Sequence, residues 1–336
     1  MKTVYLRKAG YLLLILVLSF LGFSGCGRKV NQEEDEKKKI IAVSTIGPTH
    51  SWAEGVLSYA RLELEQVAER NNWDYICVVG NDSNEQSEQV IELVEQKVDC
   101  IIMLPMDGAS LKTAAIIVQN AGIPLVIFDR EIPDFAPTAT VKGDNSGIGI
   151  ETAVIFNKMF PEGTKVLELM GDTSTVPFQR TDGYDETINP NFTKEQIGYT
   201  DWQREDTKTL FRNWIHKQSQ EELDKVGAIF THDDEIVLGV LDVLKEYEEN
   251  ENSTKEFGNL KVIAGSSGSQ EMFHKIKEEN RYDLVSLTYS PKMIREAIRI
   301  GEKIIKGEDY EEMVIIDTIE VNKDNVEEFL DADAPF

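Results

Sequence analysis

Residues 40–79 read IIAVSTIGPTHSWAEGVLSYARLELEQVAERNNWDYICVV and change their hydrophobic period twice. Residues 40–45 form a β-rich apolar run, which predicts a strand. Between residues 51 and 71 the apolar side chains recur at the spacing of one helical face, and residues 75–79 form a second β-rich run. A strand, an amphipathic helix and another strand in this order predict a parallel βαβ unit.

The same alternation continues along the rest of the chain. The next predicted elements are a helix at 85–96, a strand at 100–104, a helix at 111–121 and a strand at 124–128. A second series follows residues 138–142, with helices at 149–159, near 181, at 208–218 and at 235–246 and strands at 165–170, 196–200 and 228–231. The last elements, strands at 260–264, 284–289 and 313–318 and a helix at 292–306, are too few for a third domain.

The fold class predicted from this alternation is α/β, with two doubly wound Rossmann-like lobes built on parallel sheets. About three hundred residues follow the N-terminal leader, which is more than one compact core usually holds. The chain is expected to cross between the lobes three times, near Lys142, Tyr289 and Thr318, so that the crossings form a hinge. The predicted lobes comprise residues 39–143 with 290–318, and residues 144–289 with 319–336.

The N-terminus has the three parts of an export signal. A basic flank precedes an apolar run at residues 11–20 and the small-residue region Phe23-Ser24-Gly25-Cys26. The apolar run is too short to cross a membrane comfortably as a helix. We therefore expect residues 1–25 to be a signal peptide and the mature protein to lie outside the cytoplasm.

Cys26 follows small residues in a way that resembles the lipobox of bacterial lipoproteins. The resemblance implies that Cys26 becomes the N-terminal residue and carries acyl chains, palmitate among them, that anchor the protein to the cell membrane. An ordinary secretion signal with an incidental cysteine is the alternative. Residues 26–38 carry one large apolar side chain, too little to form a core, and are predicted to be a tether.

The chain is strongly acidic, with a formal net charge of −25. Loss of the leader, whose only charged residues are Lys2, Arg7 and Lys8, brings the net charge to −28. This excess of negative charge argues against binding to nucleic acid or to an anionic lipid surface. Cys77 and Cys100 lie in apolar strand-like runs and are interpreted as buried hydrophobic residues, although an exported protein could join them in a disulfide.

Ligands of open parallel sheets bind beyond the carboxyl ends of the strands, so the residues after each predicted strand are the candidate site. They are rich in carboxylates, guanidinium groups and aromatic rings. Carboxylates and guanidinium groups can bridge neighbouring hydroxyls, and indole faces can cover the C–H patches of a sugar. The candidate ligand-binding residues are His50, Trp52, Asp129, Arg130, Arg180, Trp202, Asp233, Ser267 and Tyr289.

Several short motifs in the same order resemble the type I periplasmic sugar-binding proteins, the ribose- and galactose-binding group that serves ABC transporters and chemotaxis. The resemblance extends roughly over residues 39–328. Its motifs are Thr49-His50-Ser51-Trp52, Ile127-Phe128-Asp129-Arg130, Gly143-Asp144-Asn145, Arg180 ahead of Gly183, Thr200-Asp201-Trp202, the run from Asp233 to Gly239, and the run from Val321 to Val326.

The resemblance implies a role for each polar candidate. Asp129, Arg130, Arg180 and Asp233 would hydrogen-bond a sugar, and Trp202 would stack on it, a choice similar to the galactose-binding branch and favouring a pyranose. Three positions depart from the family pattern: Ala53 replaces a second aromatic, Ser267 an aspartate and Tyr289 an amide. These departures put glucose, galactose and ribose in doubt and leave open a modified, deoxy or larger ligand.

Each candidate also has a purely structural alternative. Asp129 and Arg130 could form a surface ion pair, and the two tryptophans could be core residues. Asp233 could cap a helix instead of binding a ligand. For Asp144 and Asn145, helix capping is the preferred interpretation. His50 could lie on the rim of the cleft without touching a ligand.

Signals for catalysis and metal binding are weak. Residues 265–269 approach the G-x-S-x-G elbow of hydrolases but end in serine, and His274 alone follows at a plausible distance. The consecutive residues His232-Asp233-Asp234-Glu235 cannot all reach one metal ion, and no phosphate-binding loop is present in the sequence. We expect a protein that is not an enzyme and that uses no cofactor and no metal.

The function predicted from these observations is that of a monomeric extracytoplasmic lipoprotein that captures a monosaccharide or related polyol between its lobes for an ABC permease. A sensory co-receptor that passes a sugar or autoinducer-like signal to a membrane kinase or chemoreceptor is the alternative. A transcriptional regulator of the same fold would need a helix-turn-helix where the export signal stands.

Overall fold

A computed structural model describes residues 37–250, 254–334 and 336. None of the helices in these described ranges is long and apolar enough to cross a membrane. The predicted signal peptide, Cys26 and all but the last two residues of the predicted tether lie outside the described residues.

Strands and helices alternate along the chain, as predicted. The elements are β1 (Ile40–Ile46), α1 (Ser51–Asn71), β2 (Asp74–Gly80), α2 (Ser83–Glu95), β3 (Cys100–Met103), α3 (Gly108–Asn120), β4 (Leu125–Phe128), β5 (Ala139–Gly143), α4 (Asn145–Met159), β6 (Lys165–Met170), α5 (Thr175–Thr187), β7 (Thr193–Tyr199), α6 (Arg204–Lys217), α7 (Gln220–Asp224), β8 (Val226–Thr231), α8 (Asp234–Glu249), β9 (Val262–Ser267), α9 (Gln270–Glu278), β10 (Asp283–Thr288), α10 (Ile294–Lys306), β11 (Met313–Ile316) and β12 (Glu320–Val321).

The strands form two six-stranded sheets. The first has the order β11-β5-β4-β3-β1-β2 and the second the order β12-β10-β9-β8-β6-β7. Every pairing is parallel except that of β12 with β10, which is antiparallel. The predicted α/β class with two doubly wound lobes is therefore confirmed.

The chain passes between the two sheets three times. It leaves the first sheet after β5, returns to it after β10, and enters the second sheet again at β12. These passages follow from the strand order, whereas the residue limits predicted for the two lobes stay a prediction.

A buried carboxylate joins the returning segment to the first lobe. Glu63 on α1 is fully buried and contacts Arg295 and Arg299, which lie on α10, at 2.5 and 3.1 Å. Burial alone would raise the pKa of Glu63, but the hydrogen bonds and charges of the two arginines outweigh it and hold the pKa below its usual value. The ion pairs therefore attach α10 to α1.

Sequence reasoning missed three short elements, which are α7, α9 and β12. α7 and β12 have too few residues to show a hydrophobic period, whereas the spacing of Met272, Phe273 and Ile276 could have predicted α9. α9 is held by its packing, because Met272, Phe273 and Ile276 are buried in the core of the second lobe. Its start is capped by the Ser269 side chain, which accepts a hydrogen bond from the Met272 N–H at 3.2 Å.

Both described cysteines are free thiols. Cys100 is buried and Cys77 is half-buried. They lie on β3 and β2, which are separated in the sheet by β1.

Candidate functional site

A small cavity lies where the carboxyl ends of strands from both sheets meet. Its volume is about 30 Å³. The lining residues are His50, Trp52, Asp129, Arg130, Val176, Arg180, Trp202, Asp233 and Tyr289. Eight of the nine predicted site residues are among them, and Ser267 is the exception. Larger grooves exist, including one of about 540 Å³ beside Tyr247 and Tyr282, but the strand-end rule does not point to them.

The first lobe contributes Asp129 and Arg130, which directly follow β4 and are buried. Arg130 donates from Nη1 to the Met106 carbonyl at 2.6 Å and from Nη2 to the Asp172 carboxylate at 3.4 Å. Its Nε is buried and has no hydrogen-bond partner among the described residues. The two residues are therefore not the solvent-exposed ion pair that was the structural alternative.

Asp129 adopts a strained backbone conformation, with φ at +66°. Burial raises the pKa of its carboxyl group, although Arg130, the Tyr289 hydroxyl and Arg180 act in the opposite direction. The Oδ1 atom accepts a hydrogen bond from the Tyr289 hydroxyl at 2.5 Å. A buried acid in a strained backbone conformation is a common feature of binding sites.

The second lobe contributes Arg180 from α5. Its Nε donates to Asn145 Oδ1 at 2.9 Å, and its Nη1 donates to Ser266 Oγ at 2.8 Å and to the His232 carbonyl. No hydrogen bond joins Nη2 to another of the described residues. The guanidinium group is thus held rigidly, with one nitrogen left for a ligand.

Asp233 caps a helix and also lines the cavity, whereas its contact with a ligand stays a prediction. Its Oδ1 accepts a hydrogen bond from the Glu235 N–H at 2.9 Å and so caps α8, while the side chain also lines the cavity. Burial, together with the neighbouring Asp234 charge, raises the pKa of Asp233 well above its usual value. Asp144 is a helix cap as predicted, since it accepts from the Gly147 N–H at 2.8 Å.

Aromatic rings from both lobes stack in a column. The ring of His50 lies 6.4 Å from Trp202 and 6.3 Å from Trp52, and Trp52 lies 6.2 Å from Phe128, with nearly parallel planes throughout. Burial, followed by the charge of Arg130, lowers the pKa of His50 to about 4, so the imidazole is neutral at pH 7. His50, which is half-buried, thus lies between the two indoles, and whether it contacts a ligand stays a prediction.

Trp202 is held close to the backbone of the second lobe. It has a positive φ of 63°, and a side chain at Gly171 would bring a Cβ atom within 2.3 Å of its ring. The guanidinium carbon of Arg180 lies 5.7 Å from the Trp202 ring. Trp52 and Trp202 are largely buried, as core residues would be, and both also line the cavity. Their contact with a ligand stays a prediction.

Tyr289 connects both halves of the site. Its hydroxyl donates to Asp129 and accepts from Asn145 Nδ2 at 3.1 Å, and its ring lies 4.7 Å from the Arg180 guanidinium carbon. Its backbone carbonyl accepts a hydrogen bond from Trp52 Nε1 at 2.7 Å. One Asp129 oxygen is therefore already satisfied within the protein.

Ser267 does not line the cavity, although it was predicted to bind ligand. It is buried at the end of β9, and the following N–H groups of Gly268 and Ser269 donate to Asp234 at 2.8 and 2.9 Å. The loop is thus anchored to Asp234, and a ligand-binding role for Ser267 stays a prediction that the cavity does not support.

Three residues of the site were missed. Asn145 was interpreted as a helix-capping residue, yet its side chain contacts Arg180 and Tyr289. Asp172 is the second residue after β6, so the strand-end rule could have found it. Val176 carries no polar group and gave no sequence signal. No cluster of three or more metal-ligating side chains occurs within the described ranges.

Polar contacts join the lobes around the cavity. Gln203 Nε2 donates to the Thr49 carbonyl at 2.6 Å, and Gln179 Nε2 donates to Glu131 at 3.1 Å. A volume of about 30 Å³ holds one or two water molecules. A monosaccharide could therefore enter only after the two walls had separated.

Comparison with known proteins identifies the family to which the chain is similar. A family model for the periplasmic binding protein domain matches residues 41–309. The ribose import binding protein RbsB of Bacillus subtilis is 23% identical over 66% of this chain and 75% of its own length. A xylitol-binding protein of Mycolicibacterium smegmatis is 23% identical over 91% of this chain and 83% of its own length.

Solved structures show the same fold. An ABC transporter solute binding protein from Bacillus halodurans, with bound myo-inositol, superposes with a TM-score of 0.76 at 22% identity, covering 90% of this chain and 100% of the other. One from Mycobacterium smegmatis, with bound glycerol, gives a TM-score of 0.75 at 21% identity, covering 88% and 98%.

Proposed function

Because the chain belongs to the periplasmic binding protein domain family, we propose that it captures a sugar or polyol between its two lobes and delivers it to an ABC permease. The observation that carries the proposal is the convergence of Asp129 and Arg130 from one lobe, and of Arg180 and Asp233 from the other, on one cavity. Relatives whose names state ribose and xylitol support a polyhydroxylated ligand.

The free hydrogen-bonding positions suit hydroxyl groups. Arg130 Nε and Arg180 Nη2 can donate, and the second oxygens of Asp129 and Asp233 can accept. Arg130 Nε and Asp129 Oδ2 face each other at 3.8 Å, as a buried ion pair beyond hydrogen-bond distance. A sugar hydroxyl can donate and accept at once, so it can bridge such a pair. An unmatched buried polar group costs about 1–3 kcal/mol, which makes this arrangement selective against apolar ligands.

Binding would shift the protein toward a closed form. A ligand that contacts residues of both lobes binds the closed form more tightly than the open form. The contacts from Thr49 to Gln203 and from Glu131 to Gln179 would then re-form at the rim. The closed form is the state that the permease would recognise, and a single copy of the chain would suffice.

The location of the protein is part of the same proposal. Residues 1–25 would be removed and Cys26 acylated, so that the mature protein stays on the outer face of the cell membrane. Mass spectrometry of the mature N-terminal peptide, which should begin at a diacylglycerol-modified Cys26, measures this directly. An unmodified N-terminus at another residue would contradict the anchor.

A thermal-shift screen tests the binding function. The panel contains pentoses, hexoses, deoxy and methylated sugars, myo-inositol, xylitol, nucleosides and amino acids. A ligand at one hundred times its Kd adds about 2.7 kcal/mol to the free energy of unfolding, so the correct sugar or polyol should raise Tm by roughly 5 °C or more. A shift with amino acids but with no sugar or polyol would refute the proposal.

A further inference from the structure

β6 carries a buried carboxylate, Glu168, that does not itself line the cavity. Glu168 and His232 are both fully buried. Glu168 Oε1 accepts a hydrogen bond from Thr181 Oγ1 at 2.7 Å and lies 3.2 Å from His232 Nε2, while Oε2 contacts Lys194 Nζ at 3.1 Å and Gln196 Nε2 at 3.4 Å. Burial opposes ionisation, but the hydrogen bond to His232 and the charge of Lys194 hold the pKa of Glu168 well below its usual value, while burial lowers the pKa of His232.

The two groups bound to Oε1 are chain neighbours of two cavity residues. Thr181 follows Arg180 on α5, and His232 precedes Asp233 at the end of β8. His232 also accepts a hydrogen bond from Arg180 through its carbonyl. Oε1 of Glu168 therefore contacts both segments of the second lobe that carry polar cavity residues, α5 with Arg180 and the end of β8 with Asp233.

We propose that Glu168 is a positioning residue for ligand binding, which holds Arg180 and Asp233 in place through Thr181 and His232. The inference rests on the proposed function, since it takes Arg180 and Asp233 to be ligand contacts. A site works only when its side chains are locked by a supporting layer of hydrogen bonds. Through Oε1 alone, Glu168 supports both α5 and the end of β8 in this way.

The competing explanation is that Glu168 only neutralises Lys194. The geometry separates the two roles, because Lys194 contacts Oε2 and the positioning contacts converge on Oε1. Lys194 therefore offers a matched control. Lys194→Met removes the counter-charge and deletes neither the bond to Thr181 nor the contact with His232. It also removes the ion pair of Lys194 with Asp185, an exposed residue of α5.

The first measurement is calorimetric affinity for whichever of D-ribose, xylitol and myo-inositol gives the largest thermal shift. Glu168→Leu, which removes both ties, should weaken binding at least about tenfold. Glu168→Gln alone would turn its NH2 group toward the Lys194 ammonium, which is also a donor. The double variant Glu168→Gln/Lys194→Met removes that conflict and keeps an acceptor oxygen toward Thr181 and His232. It should bind within about threefold of the unmodified protein, as should Lys194→Met.

The second measurement needs no ligand. The Nε–H of Arg180 is hydrogen-bonded to Asn145 and should give a protected signal in the ¹⁵N NMR spectrum, identified by its loss in Arg180→Lys. This signal should persist in Lys194→Met and in Glu168→Gln/Lys194→Met, and it should shift or disappear in Glu168→Leu. An unchanged Arg180 signal in Glu168→Leu overturns the proposal whatever the affinity.

Thr181→Val covers the case in which Glu168→Leu does not fold, because it deletes one hydroxyl and keeps the side-chain volume. It should move the Arg180 signal and weaken binding about threefold. No movement of the signal would contradict the proposal. If no sugar or polyol binds while the NMR signals behave as expected, the proposed function has failed and the positioning role has not.

Discussion

Arg180→Met is expected to abolish detectable binding of the sugar or polyol found by thermal shift, with a loss of at least about a hundredfold in affinity. The guanidinium group is buried and already committed to Asn145, His232 and Ser266, so it cannot be replaced by water without opening the site. Its removal would also leave the Asp129 and Asp233 carboxyl groups without a cation from the second lobe, which favours their protonated forms.

Calorimetry on the purified variant, with Tm as a check on folding, measures this effect. Arg212→Met is the matched control, because Arg212 is also an ion-paired arginine of the second lobe, bound to Glu246 at 2.7 Å on the surface. The control should bind like the unmodified protein. Arg180→Lys keeps the charge but loses the planar fork, and we expect it to lie near the Met variant. If Arg180→Met binds within threefold of the unmodified protein, Arg180 does not contribute to ligand binding.

Gly149→Ala is expected to cost about 3 kcal/mol of unfolding free energy and to eliminate ligand binding. A Cβ atom on Gly149 would lie 1.9 Å from the Arg180 carbonyl oxygen and 2.6 Å from the Tyr184 nitrogen. Both are backbone atoms of α5, so the helix itself must move. The same close approach occurs at Gly183, where a Cβ atom would lie 2.3 Å from the Ser146 carbonyl oxygen.

This close contact between α4 and α5 holds the Arg180 side chain in position at the cavity. Asn145 begins α4 and Arg180 lies on α5, and the hydrogen bond between them depends on the distance between the helices. Separation of the helices should therefore break the bond and displace the guanidinium group.

Urea unfolding and calorimetry measure the two effects of Gly149→Ala. Glu151→Ala, at an exposed position on the same helix, is the control and should leave both quantities nearly unchanged. Helix propensity alone predicts the opposite sign, because alanine in place of glycine stabilises a helix by up to about 1 kcal/mol. A Gly149→Ala protein more stable than the parent would show that the close helix contact is absent.

Much of the candidate site could be predicted because parallel strands end at a common edge. Asp129, Arg130 and Asp233 each stand one or two residues after a strand, where the strand-end rule places ligand contacts. Tyr289 follows β10 in the same way. The rule uses only chain position, so it needs no knowledge of which strands are neighbours.

The strand-end rule does not specify side-chain direction. Ser267 also stands at a strand end, but Asp234 holds the loop that follows it and Ser267 does not line the cavity, so its role in ligand binding stays a prediction. Asn145 shows the opposite case. It was expected to cap a helix, but its side chain hydrogen-bonds to both Arg180 and Tyr289. Both outcomes depend on hydrogen bonds between residues far apart in sequence.

The sequence by itself determined the alternation of strands and helices, the two-lobed class and the set of polar residues at strand ends. These follow from local periods and from chain order, which are properties of neighbouring residues. Only the tertiary structure decided that His50 stacks between two indoles, that Tyr289 occupies one oxygen of Asp129, and that Glu168 accepts a hydrogen bond from Thr181, the neighbour of Arg180. Such contacts join residues from different elements, and their geometry is set when the sheets and helices pack together.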